Sequence, residues 1–420
     1  MTVSSVRRAA LAGYVGTAIE TYDFFLYGTA AALVLNRLYF PTLSPLAGVL
    51  ASLATYSVGF VARPIGGLVI GHYGDRIGRK AMLVLTLLTM GTATAAIGLL
   101  PAYGRIGAWA PAALVLLRLA QGFAVGGEWS GAALIAVEHS PHGSRGFYGS
   151  WPQIGTPTGL LLSTAAFALV ARLPDAQFLA WGWRLPFLAS VVLVLIGIVI
   201  RLRVAETPAF LRVQEQKAEA SRPMLDVLRT HRREVLLAIG IRMAENGAFY
   251  IYTVFVLVYG TRHAGLTRQS VLTAVSIGAA CLVAAVPLCG ALSDRVGRRP
   301  VYLFGACVTG LFAWPLLRLL DTGSPALAAV ALTVALVFGH APMYGPQAAF
   351  MAELFGARVR YTGMAMGSQI SSVLSGGLSP FVATALLPYG RVALASYTIV
   401  MAAITVVSVV LAPETRDREI

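Results

Sequence analysis

Long apolar runs, broken by short polar stretches rich in arginine, make up almost the whole chain. Twelve runs stand out: Leu11–Leu38, Ala47–Tyr73, Ala81–Leu100, Trp109–Val137, Phe147–Val170, Trp183–Ile200, Val235–Tyr259, Val271–Leu292, Val301–Leu319, Ala326–Leu354, Tyr361–Leu387 and Val392–Leu411. Each is close to the ~20 residues that a helix needs to cross a bilayer. The first follows Arg7-Arg8 as a signal peptide would. It is too long for one, carries acids and lacks a small-residue cleavage site, so it reads as a span. The pattern predicts an all-α membrane protein with twelve transmembrane helices.

Composition agrees. Of 420 residues, 57% are hydrophobic and 12% charged, and the mean hydropathy is +0.74. A soluble fold of this length cannot bury so much apolar surface, and disordered, collagen-like and disulfide-scaffold classes are excluded. Cys281, Cys289 and Cys307 lie in apolar segments without ligand spacing and read as small buried hydrophobes.

A net charge of +14 would suggest nucleic acid in a soluble protein. Here the basic residues sit in the breaks between spans, so no nucleic-acid partner is expected. An even number of spans puts both termini on one side. On that side the breaks hold 21 Lys and Arg, against 8 on the other, with Arg63, Arg118 and Arg242 inside spans. The bias predicts cytoplasmic termini in a plasma or inner membrane. One long polar stretch, Arg201 to Arg233, divides the spans six and six. The expected organisation is a six-helix bundle over 1–200, a partly helical linker over 201–233, and a second six-helix bundle over 234–420.

The halves echo one another. Gly71-His72-Tyr73-Gly74-Asp75-Arg76-Ile77-Gly78-Arg79-Lys80 lies between spans 2 and 3, and Gly290-Ala291-Leu292-Ser293-Asp294-Arg295-Val296-Gly297-Arg298-Arg299 between spans 8 and 9. A constant offset of 219 residues relates Asp75 to Asp294 and Gly78 to Gly297. Glu138 and Arg145 are echoed by Glu353 and Arg360, and Glu206-Thr207 by Glu414-Thr415. Three echoes in matching places indicate an internal duplication.

Ionisable groups inside spans are costly and mark function. Span 1 carries Glu20 and Asp23 on one face, with Tyr27 one further turn on. Glu20 and Asp23 are candidate proton carriers. Span 4 carries Arg118, Gln121 and Glu128 on one stripe, with Arg118 a candidate partner for a span 1 acid. Span 7 carries Arg242, Glu245, Asn246 and Phe249. Arg242 either pairs with Glu245 or holds a substrate carboxylate bidentately. Span 10 carries His340, Tyr344, Gln347 and Met351, with His340 able to exchange a proton near neutral pH or to serve as a neutral hydrogen-bonding group. Pro342 and Pro346 predict a kink there. Gln153 in span 5 is a further polar group, either a substrate contact or a helix–helix hydrogen-bonding residue.

The repeated Gly-x-x-x-Asp-Arg-x-Gly-Arg-Arg/Lys loop, with twelve spans and a central linker, resembles the signature of the major facilitator superfamily. Nearly the whole chain is similar to its metabolite:proton symporters. Glu20-Thr21-Tyr22-Asp23-Phe24, Arg63-Pro64-Ile65-Gly66-Gly67, Arg118 to Glu128 and Trp181 to Phe187 carry that resemblance. Asn36-Arg37, Phe40-Pro41, Gly71 to Asp75 and Glu128 to Leu134 most resemble bacterial shikimate permeases.

The resemblance implies two bundles related by a pseudo-two-fold along the membrane normal, with spans 1, 4, 7 and 10 lining a central cavity. It implies proton-coupled uptake of a small organic acid by alternating access, with the proton as coupling ion, no cofactor, and a functional monomer. Glu20, Asp23, Arg118 and Glu128 would couple protons. Arg242, Glu245, Asn246, Tyr27, Gln121, Gln153, His340, Tyr344 and Gln347 would bind substrate. Asp75, Arg76, Arg79, Asp294, Arg295, Arg298, Glu138, Arg145, Glu353 and Arg360 would gate the inner side. In particular, Asp75 and Asp294 would meet helix N-termini of the opposite half.

Three rivals are kept: a proline or betaine symporter, a drug-efflux antiporter and a non-transporting sensor. A quaternary ammonium cargo would want aromatic faces beside a carboxylate. A sensor on this fold usually carries a long cytoplasmic extension. No nucleotide loop, zinc spacing or nucleophile triad points to an enzyme or a metal site.

Overall fold

The computed structural model describes the backbone of residues 3–77, 79–126, 128–138, 140–141, 143–202, 231–355 and 360–418. It describes their side chains except at 3–12, 68, 71–81, 83, 128, 135, 200–202 and 361. The side chains of Asp75, Arg76, Arg79 and Glu128, and most of the expected linker, therefore lie outside what is described.

Twelve helical rods run through the described chain, and no strand occurs among the described residues. They are α1 (3–39), α2 (Pro45–Ile77), α3 (Arg79–Leu99), α4 (Trp109–Glu138), α5 (Arg145–Val170), α6 (182–202), α7 (232–262), α8 (Arg268–Val296), α9 (Arg298–Leu320), α10 (Pro325–Leu354), α11 (360–386) and α12 (Gly390–Leu411). Eight stretches are apolar enough over 18 residues to count as membrane spans outright, the last running through both α11 and α12. The helices that fall short are α1, α3 and α7. Two of these carry the buried acids and arginine that the sequence singles out, so their lower hydropathy marks chemistry and not exposure.

The repeated loop is more helical than a loop. α2 continues to Ile77, and α8 to Val296, where Gly297 breaks it with φ +103° before α9 starts at Arg298. Residues with a Cβ rarely adopt that φ, so the glycine sets the break. Single π-helical turns interrupt α1 at Ala31–Leu35 and α7 at Ile251–Phe255, nearly the same repeat offset apart. Others interrupt α10 at Ala335–His340 and α11 at Ser372–Gly377. The bulge in α10 sits just before the Pro342 and Pro346 pair, which cannot supply backbone donors.

Large apolar side chains such as Leu195, Leu311 and Val392 stay exposed on the rod surfaces. Such a surface needs lipid against it. Cys281 and Cys307 belong to this outer surface, and Cys289 is half-buried. The expectation of three buried cysteines is therefore corrected: the apolar segments holding them present part of their surface outward, where a thiol is as well tolerated as an alanine.

The two halves meet through small residues. A Cβ on Gly146 of α5 would lie 2.4 Å from the Gly290 carbonyl oxygen of α8, and one on Gly290 would lie 2.5 Å from that of Gly146. Only glycines allow this approach.

Candidate functional site

The end of the molecule that carries the loop motifs is shut by charge. Asp294, at the end of α8, accepts hydrogen bonds from the backbone N–H groups of Gly146 and Phe147, both at 2.8 Å. These are orphan donors at the first turn of α5, where a carboxylate is favoured. Arg298 joins Asp294 (2.6 Å) to Glu353 (3.0 Å), and both pairs are nearly dry. The second echo pairs across the halves. Glu138 meets Arg360 at 3.2 Å, and Arg145 lies 3.9 Å from Glu353. Arg145 also donates to the Arg418 carbonyl. Each repeated acid thus meets the repeated arginine of the other half. Arg295 lends its carbonyl to Arg416.

Glu414, beyond α12, caps the start of α9. It accepts from the N–H groups of Arg298 (2.9 Å) and Arg299 (3.0 Å). Burial alone would raise its carboxyl, but the backbone donors of Arg298, Arg299, Arg416 and Thr415 outweigh that and hold it below its ordinary value.

Midway along the rods, the C-terminal half holds a polar cluster between α7, α9 and α10. Glu245 is its centre. Its Oε2 takes Gln347 Nε2 at 2.6 Å and Arg242 Nε at 3.4 Å. His340 Nδ1 is 3.1 Å from the Glu245 carbonyl oxygen, and its ring stacks between Phe249 and Tyr344. Gln347 also reaches the Tyr302 hydroxyl at 3.3 Å. The Arg242 guanidinium lies 4.9 Å over the Trp129 ring of α4. Asn246 points elsewhere, to Ser375 of α11 at 3.3 Å. Across the cleft, Thr156 of α5 meets the Tyr344 hydroxyl at 2.8 Å, and Gln153 donates to the Tyr344 carbonyl.

The N-terminal half holds a second cluster, built on α1, α2 and α4. Arg118 is fully buried. It donates to Gln121 Oε1 at 3.0 Å and to the Tyr56 carbonyl at 3.4 Å, and lies over the rings of Phe24, Tyr27 and Tyr56. Gln121 passes the chain on to the Thr94 hydroxyl at 2.7 Å. Tyr27 meets Thr55 at 2.5 Å. Asp23 is 1% exposed, and neither of its oxygens makes a hydrogen bond within 3.5 Å. The Thr94 and Ser190 hydroxyls and Glu20 face it. Glu20 is only partly buried.

The expected pairing of Arg118 with a span 1 acid is not what the structure shows. Arg118 points to the aromatic side of α1, and Asp23 to the face that meets α3 and α6. Gln121 and Thr94 stand between them. A helical wheel puts Phe24 and Asp23 on different faces, and the α1–α4 contact is made by the aromatic one. Sequence reasoning also left Arg63, Tyr56, Phe60 and Thr94 without a role. Arg63 could have been found, since it is one of only three arginines inside spans.

At the end opposite the motifs the halves frame a cavity of about 860 Å³. Asn36, Arg37 and Asp175 line it from one half, and Arg262 and Arg268 from the other. Its bridges among the described residues are fewer: Arg262 to the Pro45 carbonyl at 3.1 Å, and Arg268 to Asp175 at 3.1 Å and to the Ala171 carbonyl at 3.2 Å.

Comparisons with known proteins agree with this geometry. The family model of the Major Facilitator Superfamily matches residues 13–380, and again 263–418. The chain is 44% identical to the shikimate transporter of Escherichia coli over 394 residues, 93% of this chain and 90% of that protein. It is 40% identical to the E. coli inner membrane metabolite transport protein YhjE, covering 100% of this chain and 96% of that one. The proline/betaine transporter of E. coli is 33% identical over 98% of this chain and 84% of its own. Among solved structures, the proton:xylose symporter XylE superposes with a TM-score of 0.78 at 17% identity, over 99% of this chain and 97% of that one. That likeness speaks to the fold.

Proposed function

The chain belongs to the major facilitator superfamily, a multi-pass membrane transporter and not an enzyme, and from that premise we propose that it imports a small organic acid together with protons. A shikimate-like monocarboxylate is the leading cargo, because the relative at 44% identity bears that name. The observation that carries proton coupling is Asp23: a carboxyl buried inside a span, with no cation beside it among the described residues. Leaving a charge there costs several kcal/mol. Such a group serves best by taking up and giving off a proton as the halves move. Thr94 and Gln121 give it a line to Arg118, so the state of one carboxyl is felt at the aromatic cluster that faces the other half.

Transport by alternating access then needs two closures. The contacts of Asp294 with the start of α5, of Glu138 with Arg360 and of Arg145 with Glu353 close one end. By the arginine bias that end faces the cytoplasm, with both termini and the linker between the halves. The opposite end admits cargo through the arginine-lined cavity. The protein works as a single copy, with the proton as its coupling ion and no cofactor. The reciprocity of linkage requires that proton and cargo each favour the state in which the other binds.

The test is substrate-driven pH change in proteoliposomes, using shikimate, quinate, protocatechuate, 2-oxoglutarate, citrate, proline and betaine. An organic acid is expected to draw protons inward, and Asp23→Asn to abolish that signal while substrate counterflow persists. A response to proline or betaine alone would move the protein to the compatible-solute branch.

A further inference from the structure

Two arginines of the N-terminal half meet no carboxylate among the described residues. Arg63 and Arg118 form no salt bridge among the described residues, yet one is half-buried and the other fully buried. Both guanidinium carbons lie over the same ring, Phe24, at 4.1 and 4.0 Å. Arg63 also lies over Phe60 at 4.4 Å. Cation–π contacts return part of the desolvation cost, but they do not balance two like charges. Three polar atoms here are left over: Arg118 Nη2, Arg63 Nε and the Tyr56 hydroxyl are buried without a hydrogen bond. Two donors and a hydroxyl beside two uncompensated cations describe an anion-binding site.

Arg242 offers no such site in this conformation. Glu245 already faces it at 3.4 Å, and Trp129 covers it. An incoming carboxylate would have to displace Glu245 first. At Arg63 and Arg118 it would meet two cations with donors to spare.

We propose that the carboxylate of the cargo is held by Arg63 and Arg118, with the Tyr56 hydroxyl as a third donor, and that Arg242 does not read it. This rests on the organic-acid reading above and names its anchoring residues. The surrounding rings fit a compact monocarboxylate with one apolar face. Phe60 lies 5.4 Å from Tyr56 and 5.2 Å from Tyr250, ring centre to ring centre. Tyr250 comes from α7, and the glycines Gly376 and Gly377 of α11 press on Phe60. The anchors therefore belong to one half and the cover to the other. Parting the halves uncovers the site, and closing them seals an anion against rings instead of water.

The experiment uses the full chain in proteoliposomes. It compares shikimate with its methyl ester, by equilibrium binding and by counterflow without a pH gradient. Wild type is expected to prefer the acid. Arg63→Gln and Arg118→Gln should each weaken shikimate binding by about tenfold or more and erase the preference over the ester. Arg242→Gln should keep that preference. A residue serving only proton coupling would spare counterflow and leave the acid–ester ratio alone. If Arg118→Gln does not fold, the half-exposed Arg63 carries the test with both Gln and Lys variants. Folded Arg63 variants with the wild-type acid–ester ratio overturn the assignment, as does loss of the ratio in Arg242→Gln. Wild type that binds neither shikimate nor any other acid of the panel overturns the organic-acid reading itself, which is a different result.

Discussion

Single residues decide how much charge the interior can bear. Glu245 is 2% exposed and serves Arg242, Gln347 and His340 at once. Replacing it with Gln leaves a buried guanidinium without its counter-charge, a loss of about 3–5 kcal/mol for a dry pair. Thermal unfolding of purified Glu245→Gln should show a large drop in Tm, whereas Tyr302→Phe, which removes one 3.3 Å hydrogen bond, should move it little. Asp23 behaves differently because no ion pair among the described residues depends on it. Asp23→Asn keeps the shape and removes the titration, so stability should hold or rise while proton-driven uptake is lost. An Asp23→Asn protein that still acidifies or alkalinises with substrate would remove this residue from the coupling step.

At the scale of elements, helix ends and glycine contacts set the gate. Asp294 satisfies two first-turn donors of α5 from the other half. Asp294→Asn should weaken that closure, seen as faster labelling of a cysteine placed at Ser150 from the motif end. The Glu138–Arg360 pair offers a cleaner case, since its partners come from equivalent places in the repeat. Reversing either charge alone should slow turnover, and reversing both should restore much of it. Full additivity in that double-mutant cycle would show that the pair does not act together.

The Glu414 cap on α9 adds a pH dependence. Its folded carboxyl titrates below the ordinary 4.5, so its contribution is complete above that value and disappears as pH falls through the lower folded one. The Tm difference between wild type and Glu414→Gln should therefore be present at pH 7 and shrink toward zero in acid. A difference that grows on acidification has the wrong sign for a cap.

Across the whole molecule the two ends are unequal. The motif end is tied across the halves by Asp294 on the first-turn donors of α5 and by Arg145 beside Glu353, both nearly dry. The other end is tied by Arg268 to Asp175, whose side chain is 72% exposed, around a cavity of about 860 Å³. An exposed pair is worth ~1 kcal/mol or less. Arg268→Ala should thus open that end readily with little loss of stability, whereas Arg298→Ala, which removes the group holding Asp294 and Glu353 in place, should loosen the motif end and lower Tm. Distances between spin labels across each end, in the same two variants, would tell these apart. Equal widening at both ends in both variants would mean the halves do not rock about the central clusters.

Much of this was readable in the chain before any fold was known. Apolar run length is a local property, and a bilayer converts it directly into twelve helices. The offset of 219 residues exposed the duplication, because copied loops keep their spacing. Helical periodicity placed Arg242 beside Glu245, and His340, Tyr344 and Gln347 on one stripe, since neighbours three and four apart share a face whatever the fold. Contacts between helices were another matter. Which side of α1 meets α4 depends on how the rods are rotated about their axes, so the sequence could propose a span 1 acid for Arg118 where the structure supplies Phe24. The crossed pairing of Glu138 with Arg360 needs the two halves docked together, and so does the packing of Tyr250 on the rings of Tyr56 and Phe60. Spacing along one helix carries no information about the turn of the next. Packing alone left two arginines without an acid among the described residues.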